Sequence, residues 1–250
     1  ISRYLWYSFL KMQKQVAPKL QNIITVSQSS KKGIIEEFNC KKNNILVINN
    51  GLDTEDFSPI EGSVRDLNRL VTTASADVPL KGLDYSLKAL KILKKDNPNI
   101  HLIVIGSPKK GGHTERLIKE LNIQDNVFFK KHISKEEIRK LYSTSSVAIV
   151  SSLYEGFGYP VIEAMSCEVP LIATNVSSIP ELVQKYAILI DPKDENLLSH
   201  KIKNVLSNYD EHKKTAIQGR QHIIKTFNWS KITNEYEKTI FKVIENFRKC

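Results

Sequence analysis

Regular alternation of apolar runs and amphipathic stretches between Leu70 and Ile190 constrains the fold of this chain most strongly. Short apolar runs typical of buried strands lie near 69–74, 100–105, 126–130, 147–150, 170–173 and 187–190. Helical periodicity lies between them, near 82–95, 113–122, 134–143, 161–167 and 178–184. Strands and helices that alternate at this spacing indicate a parallel sheet with right-handed crossover helices. We therefore predict an α/β fold with a doubly wound, Rossmann-like parallel sheet.

The regions on either side do not follow this rhythm. Residues 1–20 predict a helix that Pro18 ends or kinks, and the short strands predicted near 23–26 and 45–48 flank a helix that Ser27 to Ser30 can cap. This part is too small to enclose a core of its own. The segment 54–67 is polar and rich in turn residues, which is typical of a linker between domains.

The tail from about residue 194 predicts successive helices. The last helix carries an apolar stripe, and we expect it to pack against the domain core; its residues are Trp229, Ile232, Tyr236, Ile240, Val243 and Phe247. A basic amphipathic face on a membrane is the alternative, supported by Lys231, Lys238, Lys242 and Lys249.

Composition excludes some classes of protein. The chain has 250 residues, of which 41% are hydrophobic and 26% charged, and no apolar run approaches the length needed to span a bilayer. It opens with Ile1 and lacks the features of a signal peptide, which suggests a fragment or a processed product. Three distant cysteines, Cys40, Cys167 and Cys250, favour reduced thiols and a cytoplasmic location. No metal-ligand spacing is present.

The formal net charge of +10 is concentrated towards the end of the chain, since residues 199–250 hold 11 Lys and Arg against 5 Asp and Glu. The basic residues form no stripe that alternates with aromatic residues, so nucleic acid is not an expected partner. Attraction to an anionic membrane surface or a phosphorylated ligand fits this charge as well, and a solvated surface is the simplest explanation.

The stretch Ser151–Glu163, SSLYEGFGYPVIE, carries the clearest functional signal. It joins a predicted buried strand to a predicted helix through Gly156 and Gly158, where the backbone can turn sharply and lie against a ligand. A glycine-rich turn at a helix N-terminus is suited to phosphate, because it presents amide groups and the positive end of the helix dipole. Glu155 and Glu163 frame this turn, and carboxylates there can accept hydrogen bonds from sugar hydroxyls.

The same stretch resembles the donor-site signature of retaining glycosyltransferases of the GT-B type, family four (glycosyl transferases group 1). The resemblance continues through Val169–Thr174 and Pro180-Glu181-Leu182-Val183, and it also covers Asn50-Gly51-Leu52-Asp53 with Phe57. It implies a C-terminal donor-binding domain with part of an N-terminal domain. On this basis we divide the chain into a remnant of the acceptor-side domain with its linker (1–62), a nucleotide-sugar donor-binding domain (63–227) and a C-terminal crossing helix (228–250).

The resemblance also implies roles for single residues. Lys81 would reach the donor diphosphate, Glu155 would face the transferring sugar, and Glu163 would hold the ribose hydroxyls. The remaining donor-binding residues that it implies are Gly106, Ile133, Gly156, Phe157, Gly158, Tyr159 and Val161, of which Tyr159 and Val161 supply backbone amides next to Pro160. His132 is a weaker candidate for the base. Family members carry an arginine shortly before the lysine, whereas this chain has Ser75–Leu80 and no arginine.

The resemblance implies transfer of a sugar from a nucleotide sugar, such as a UDP- or GDP-sugar, to a glycan, lipid or small-molecule acceptor with retention of configuration. No cofactor or metal is expected. Because the match covers only the C-terminal half of a usual enzyme, we expect the donor-binding half-site alone, inactive by itself. A non-catalytic nucleotide-sugar-binding subunit that needs a partner chain is the alternative, and an epimerase or phosphorylase is a weaker one. The expected location is cytoplasmic, with peripheral contact at the inner face of the membrane left open.

Overall fold

The computed structural model describes residues 2–248, with side chains from residue 8 onward. The chain forms two compact units, of which the larger comprises Leu52–Asn228 and the smaller comprises the residues up to Gly51 together with those from Trp229 onward. The helices and strands, numbered along the chain, are α1 (Ser2–Val16), β1 (Ile23–Thr25), α2 (Gln28–Phe38), β2 (Ile45–Val47), β3 (Asp66–Thr73), α3 (Leu83–Leu93), β4 (His101–Ile105), α4 (His113–Leu121), β5 (Val127–Lys130), α5 (Lys135–Thr144), β6 (Ser145–Val150), α6 (Tyr159–Ser166), β7 (Leu171–Thr174), α7 (Ile179–Val183), β8 (Ile188–Ile190), α8 (Glu195–Ser207), α9 (Tyr209–Phe227) and α10 (Trp229–Arg248).

A six-stranded parallel sheet in the order β5-β4-β3-β6-β7-β8 forms the centre of the larger unit. The chain builds the sheet outward from β3 to β5, then returns to the other side of β3 and builds outward again from β6 to β8. Right-handed crossovers therefore place α3 and α4 on one face and α5 and α6 on the other. Every residue of β6 is buried, as a central strand covered on both faces requires. The predicted doubly wound fold is confirmed.

The smaller unit contains a two-stranded parallel sheet, in which β1 pairs with β2. Ser27 caps α2, because its hydroxyl accepts a hydrogen bond from the backbone N–H of Ser30 at 3.0 Å.

The apolar stripe predicted on α10 is largely exposed, although the sequence predicted that it packs against the domain core. Only Ile232 is fully buried, whereas Trp229, Ile240 and Phe247 are 48%, 51% and 84% exposed.

The size of the smaller unit explains this difference. Two three-residue strands and the helices α1 and α2 offer little surface against which the 20-residue α10 can bury a whole stripe. The Trp229 ring lies so close to Gly51 that a Cβ atom there would come within 2.5 Å of it. Lys249 and Cys250 lie outside the described residues. Within residues 2–248, no helix combines the length and the apolarity that crossing a bilayer requires.

The segment from Leu52 to Phe57 packs in the larger unit, whereas the sequence placed the domain boundary at residue 62. Leu52 and Phe57 are buried there. One guanidinium nitrogen of Arg220 in α9 donates to the carbonyls of Thr54, Phe57 and Ser166, at 3.2, 3.1 and 2.6 Å. The polar composition of residues 54–67 did not reveal that this segment is attached to the larger unit. Most of the hydrogen bonds from Arg220 go to backbone carbonyls, which every residue type has.

Arg65 binds the ends of two neighbouring helices. Its Nη1 donates to the carbonyls of Tyr142 and Ser145 at the end of α5, at 2.7 and 2.9 Å. Its Nη2 donates to the carbonyls of Cys167 and Glu168 just after α6, at 3.0 and 2.8 Å. Terminal helical carbonyls have no partner within the helix, and a cation also interacts favourably with that end of the helix dipole. Arg65 thus satisfies four carbonyls and fixes α5 relative to α6.

We expect Arg65→Ala to lower the free energy of unfolding by about 3 kcal/mol, because it removes four charge-assisted hydrogen bonds and leaves partly buried carbonyls without partners. Urea denaturation followed by circular dichroism measures this loss. Arg116→Ala is the matched control, since Arg116 is exposed on α4 and should change stability by less than about 0.5 kcal/mol. Equal stability of the two variants would contradict the role assigned to Arg65.

Candidate functional site

The point at which the sheet reverses its direction of growth lies between β3 and β6, which are neighbours in the sheet. In open α/β sheets, the loops that follow the strands on either side of such a point diverge and leave a crevice for ligands. The two loops here are residues 74–82, after β3, and residues 151–158, after β6. They contain Lys81 and the glycine-rich stretch.

Backbone and side-chain hydrogen bonds join these two loops. The N–H of Leu153 donates to the carbonyl of Leu80 at 2.8 Å, and the Ser151 hydroxyl donates to the carbonyl of Gly82 at 2.9 Å. Gly82 has a φ of +62°, and a Cβ atom on it would lie 1.9 Å from the carbonyl oxygen of Ser151. Glycine is therefore required at position 82 for both its conformation and the close approach. The two loops form one rigid edge.

Lys81 and Glu155 meet across this edge. The Lys81 Nζ lies 2.7 Å from the Glu155 Oε1, and the Ser152 hydroxyl donates to the same oxygen at 2.7 Å. The side chain of Glu155 is only 10% exposed and that of Lys81 is 31% exposed. The nearly buried Glu155 carboxylate thus binds the partly exposed Lys81 ammonium group at the C-terminal end of the sheet. An anionic ligand that reaches this edge can compete with Glu155 for the ammonium group.

The two glycines of the motif, Gly156 and Gly158, differ in whether the protein's own structure requires a glycine at that position. Gly158 precedes α6 with a φ of +109°, a conformation that favours glycine. Gly156 has no such backbone constraint, and a Cβ atom added to it would meet no protein atom within 4 Å. Packing within the protein therefore does not require glycine at position 156. A ligand that approaches the backbone closely would require it.

The residues around Gly158 differ in what they offer a ligand. The Phe157 ring is buried, 6.1 Å from the ring of Phe227, so it offers a ligand little side-chain surface. The Tyr159 side chain is 39% exposed. The Val161 N–H, expected as a phosphate donor, donates instead to the carbonyl of Gly158 at 3.0 Å. A tight first helical turn forms this bond, so the amide of Val161 is occupied in this conformation.

Glu163 lies four residues into α6 and is partly buried. Burial raises the pKa of its carboxyl group from 4.5 to about 7, while a hydrogen bond from the Tyr142 hydroxyl acts in the opposite direction and favours the ionised form. The carboxylate is therefore close to half ionised at neutral pH. It is placed at the same edge as Lys81 and Glu155 because α6 begins there.

The other expected site residues are less closely connected. Gly106 follows β4 with a φ of +152°, and a Cβ atom on it would lie 2.2 Å from the carbonyl oxygen of Ala74, so glycine lets the loops after β3 and β4 approach. The Ile133 side chain lines a groove of about 470 Å³ together with residues of α5 and of strands β3, β4 and β5, and Lys81 is not among the residues that line this groove. His132 is exposed.

The structure adds residues that the sequence did not single out. The buried Ser178 hydroxyl donates to the carbonyls of Glu155 and Phe157, at 2.9 and 2.6 Å, and so fixes the glycine-rich turn from α7. The buried Tyr142 of α5 acts on the pKa of Glu163, where it favours the ionised carboxylate. A tyrosine at an otherwise apolar helical position was the available signal for Tyr142, whereas nothing in the local sequence indicated Ser178.

The chemistry of this edge is that of anion and polyol recognition. It combines one ammonium group, two carboxylates and a glycine-rich turn at a helix N-terminus, a set suited to a phosphorylated sugar or nucleotide. Within residues 2–248, no group of three or more His, Cys, Asp or Glu side chains is arranged to hold a metal ion.

Sequence comparisons relate the chain to one family of known proteins. The family model described as "Glycosyl transferases group 1" matches residues 55–222. The MMP alpha-(1->4)-mannosyltransferase of Mycolicibacterium hassiacum is 35% identical over 245 residues, covering 95% of this chain and 59% of that protein. The O-antigen chain mannosyltransferase RfbU of Salmonella typhimurium is 27% identical over 197 residues, covering 79% of this chain and 54% of that protein.

Solved structures share the fold. The sucrose-phosphate synthase of Thermosynechococcus elongatus superposes with a TM-score of 0.83 at 23% identity, covering 96% of this chain and 62% of that chain. Anabaena Alr3699/HepE, solved with UDP and glucose, gives a TM-score of 0.83 at 21% identity, covering 93% and 66%. The chain spans less than two thirds of the length of each of these proteins. The matched residues include both loops of the site, and the chain belongs to the glycosyl transferases group 1 family.

Proposed function

We propose that this chain supplies the nucleotide-sugar-binding half of a retaining hexosyltransferase. The observation that carries the proposal is the contact between Lys81 and Glu155 at the switch point of the sheet, with Glu163 on the helix that begins there. Membership of the family supports sugar transfer as the reaction class. Because the chain covers only about half to three fifths of its curated relatives, we propose that acceptor binding and full activity need the rest of the protein.

Each group has a proposed part in donor binding. The diphosphate would lie in the space beside Gly156, where an added Cβ atom would meet no protein atom, and near the Lys81 ammonium. The Glu163 carboxylate would accept hydrogen bonds from the ribose hydroxyls. Glu155 would face the transferring sugar, where it orients a hydroxyl or stabilises positive charge as the bond to the diphosphate breaks.

The Lys81–Glu155 pair implies an exchange of partners. Without donor, Glu155 neutralises Lys81. An incoming diphosphate would take over the ammonium group and so release the carboxylate towards the sugar. Ser75–Leu80 contain no arginine. On this loop the Lys81 ammonium group would therefore be the cation that neutralises most of the diphosphate charge.

The proposed reaction breaks the bond between the anomeric carbon and the diphosphate oxygen, which keeps the electron pair. The acceptor hydroxyl oxygen bonds to the same carbon on the same face, and its proton passes to the departing diphosphate. Negative charge on the leaving group would be met by the Lys81 ammonium group and by the positive end of the α6 dipole, which can contribute several kcal/mol in a site that excludes water.

The names of relatives suggest which donors to test first. The relatives from Mycolicibacterium hassiacum and Salmonella typhimurium are both named as mannosyltransferases, so GDP-mannose comes first, beside UDP-glucose. A binding subunit without activity of its own is the rival proposal. Peripheral membrane contact stays a prediction, supported by exposed Phe241 and Phe247 and by Lys238 and Lys242 on α10.

The first test concerns Glu163. We expect Glu163→Gln to weaken binding of the preferred nucleotide sugar at pH 8 by about tenfold or more, since an amide cannot accept two ribose hydrogen bonds with both of its polar atoms. In the unsubstituted chain, affinity should fall as the pH drops through about 7, where the carboxylate takes up its proton. The variant should lack this pH dependence.

Isothermal titration calorimetry between pH 5.5 and 9 measures both effects. A nucleotide sugar is the suitable probe, because a free nucleoside diphosphate has a terminal phosphate that titrates in the same range. Equal affinities of variant and parent at pH 8 would remove the ribose assignment.

Glu155→Gln should separate binding from transfer. We expect the nucleotide sugar to bind within about threefold of the parent, whereas transfer in the complete protein should fall by two orders of magnitude or more, because charge stabilisation at the reacting carbon is lost. Comparing calorimetry on this chain with initial rates on the complete protein checks the split. Undiminished transfer would contradict the role assigned to Glu155, whereas a complete protein that binds the nucleotide sugar but transfers nothing would favour the binding-subunit proposal.

Gly156→Ala tests the approach of the ligand to the backbone. The new methyl group meets open space in the protein, so the thermal midpoint should change little, while affinity for the nucleotide sugar should fall by about tenfold. Gly33→Ala is the matched control: it also meets no atom within 4 Å, but it lies in α2. The control should bind as the parent does, and unaltered binding by Gly156→Ala would contradict the proposed diphosphate position.

A further inference from the structure

We propose that Ser152 is a positioning residue for sugar transfer. Its hydroxyl holds the Oε1 atom of Glu155 after Lys81 has moved to the donor diphosphate, so that the Oε2 atom stays directed towards the transferring sugar. This role rests on the proposed function of Lys81 and Glu155. It adds a residue that acts on the donor only through Glu155, and it gives the two carboxylate oxygens different tasks.

The two carboxylate oxygens of Glu155 have different surroundings. The Lys81 ammonium group and the Ser152 hydroxyl both contact Oε1, each at 2.7 Å. Oε2 accepts no hydrogen bond from the described part of the chain, and it is not among the buried polar atoms there that lack a partner. Oε2 therefore reaches the surface of the site with lone pairs that a ligand can use.

The Ser152 hydroxyl is the donor in its contact with Glu155, because an ionised carboxylate can only accept. Once the Lys81 ammonium group has moved to the diphosphate, this hydroxyl is the remaining donor to the carboxylate among the described residues. A nearly buried charge without any donor is unfavourable. Without Ser152, the carboxylate would either retain Lys81 or turn towards solvent.

The position of Ser152 does not depend on the ligand. Its carbonyl accepts a hydrogen bond from the hydroxyl of Thr174, the last residue of β7. The residues on either side of it, Ser151 and Leu153, are hydrogen-bonded to the loop after β3. Ser152 is also only 3% exposed, so its hydroxyl has little access to water. The donor therefore stays in place whether or not Lys81 is present.

The backbone of Glu155 is fixed separately from its carboxylate. Its carbonyl accepts a hydrogen bond from the Ser178 hydroxyl at 2.9 Å, and its N–H donates to the Ser177 Oγ at 3.4 Å. Several side-chain torsions lie between this backbone and the carboxylate, so a contact at the carboxylate itself must set its orientation. An oxygen that is already oriented can meet positive charge on the sugar without reorganisation as the glycosidic bond breaks.

Ser152→Ala tests the inference in the complete protein. We expect kcat to fall by about ten- to a hundredfold, because the oriented oxygen acts in the transition state, whereas KM for the nucleotide sugar should stay within about threefold. Release of GDP from GDP-mannose, or of UDP from UDP-glucose, reports the rate even with water as the acceptor. A raised KM with an unchanged kcat would contradict the positioning role.

Coupling to Glu155 separates positioning from a merely structural effect. In the Glu155→Gln background, Ser152→Ala should lower kcat by less than about twofold further, because the charged group that Ser152 orients is already absent. A structural defect would instead multiply with the loss caused by Glu155→Gln. Ser152→Cys replaces the hydroxyl by a weakly donating thiol, should show the same coupling, and decides the question if Ser152→Ala does not fold.

Ser199→Ala is the matched control. Ser199 is also a buried serine, but its hydroxyl donates at 2.8 Å to the carbonyl of Asn196 in its own helix, α8. Deleting this hydroxyl should leave kcat unchanged, both in the parent and in the Glu155→Gln background.

The outcomes distinguish this inference from the proposed function. An undiminished rate in Glu155→Gln, or a complete protein that transfers nothing, overturns the proposed function and the role of Ser152 with it. If Glu155→Gln loses transfer while Ser152→Ala keeps the parental kcat, or if the two losses multiply, the role of Ser152 alone is overturned.

Discussion

The bridge that Arg65 makes between α5 and α6 is the contact on which the geometry of the site depends. Four carbonyl oxygens at the ends of these helices converge on one guanidinium group, which has the planar arrangement of donors needed to reach them. Because α6 carries Glu163, the guanidinium group that binds the end of this helix also fixes the element that positions the proposed ribose-binding carboxylate. The Arg65 hydrogen bonds therefore contribute both to the stability of the fold and to the geometry of the site.

The remaining geometry comes from the topology of the sheet. The reversal between β3 and β6 brings Lys81 beside Glu155, although 74 positions separate them in the chain. Glycine at positions 82 and 106 lets neighbouring loops touch backbone to backbone, so the edge is rigid before any ligand arrives. A rigid edge with one open position at Gly156 is consistent with a ligand that fits against the backbone, because little conformational entropy remains to be lost on binding.

The sequence predicted the parts of this molecule that local patterns control. Strands such as β6 are continuously apolar, and helices such as α5 carry their own capping residues, so both were found close to their observed bounds. The burial of α10 depends on how much surface its neighbours provide, and periodicity does not report that. The attachment of Leu52–Phe57 depends on contacts between distant residues, such as Arg220 with Thr54. The amide of Val161 was expected to be open because the tightness of the first turn of α6 cannot be inferred from residue types.

The most direct test of the account is a crystal structure of this chain with its preferred nucleotide sugar. We predict that the Lys81 ammonium leaves Glu155 and lies within hydrogen-bond distance of the diphosphate, with the ribose hydroxyls on Glu163 and the diphosphate over Gly156. A nucleotide bound elsewhere, with the 2.7 Å contact between Lys81 and Glu155 intact, would contradict the proposed donor site.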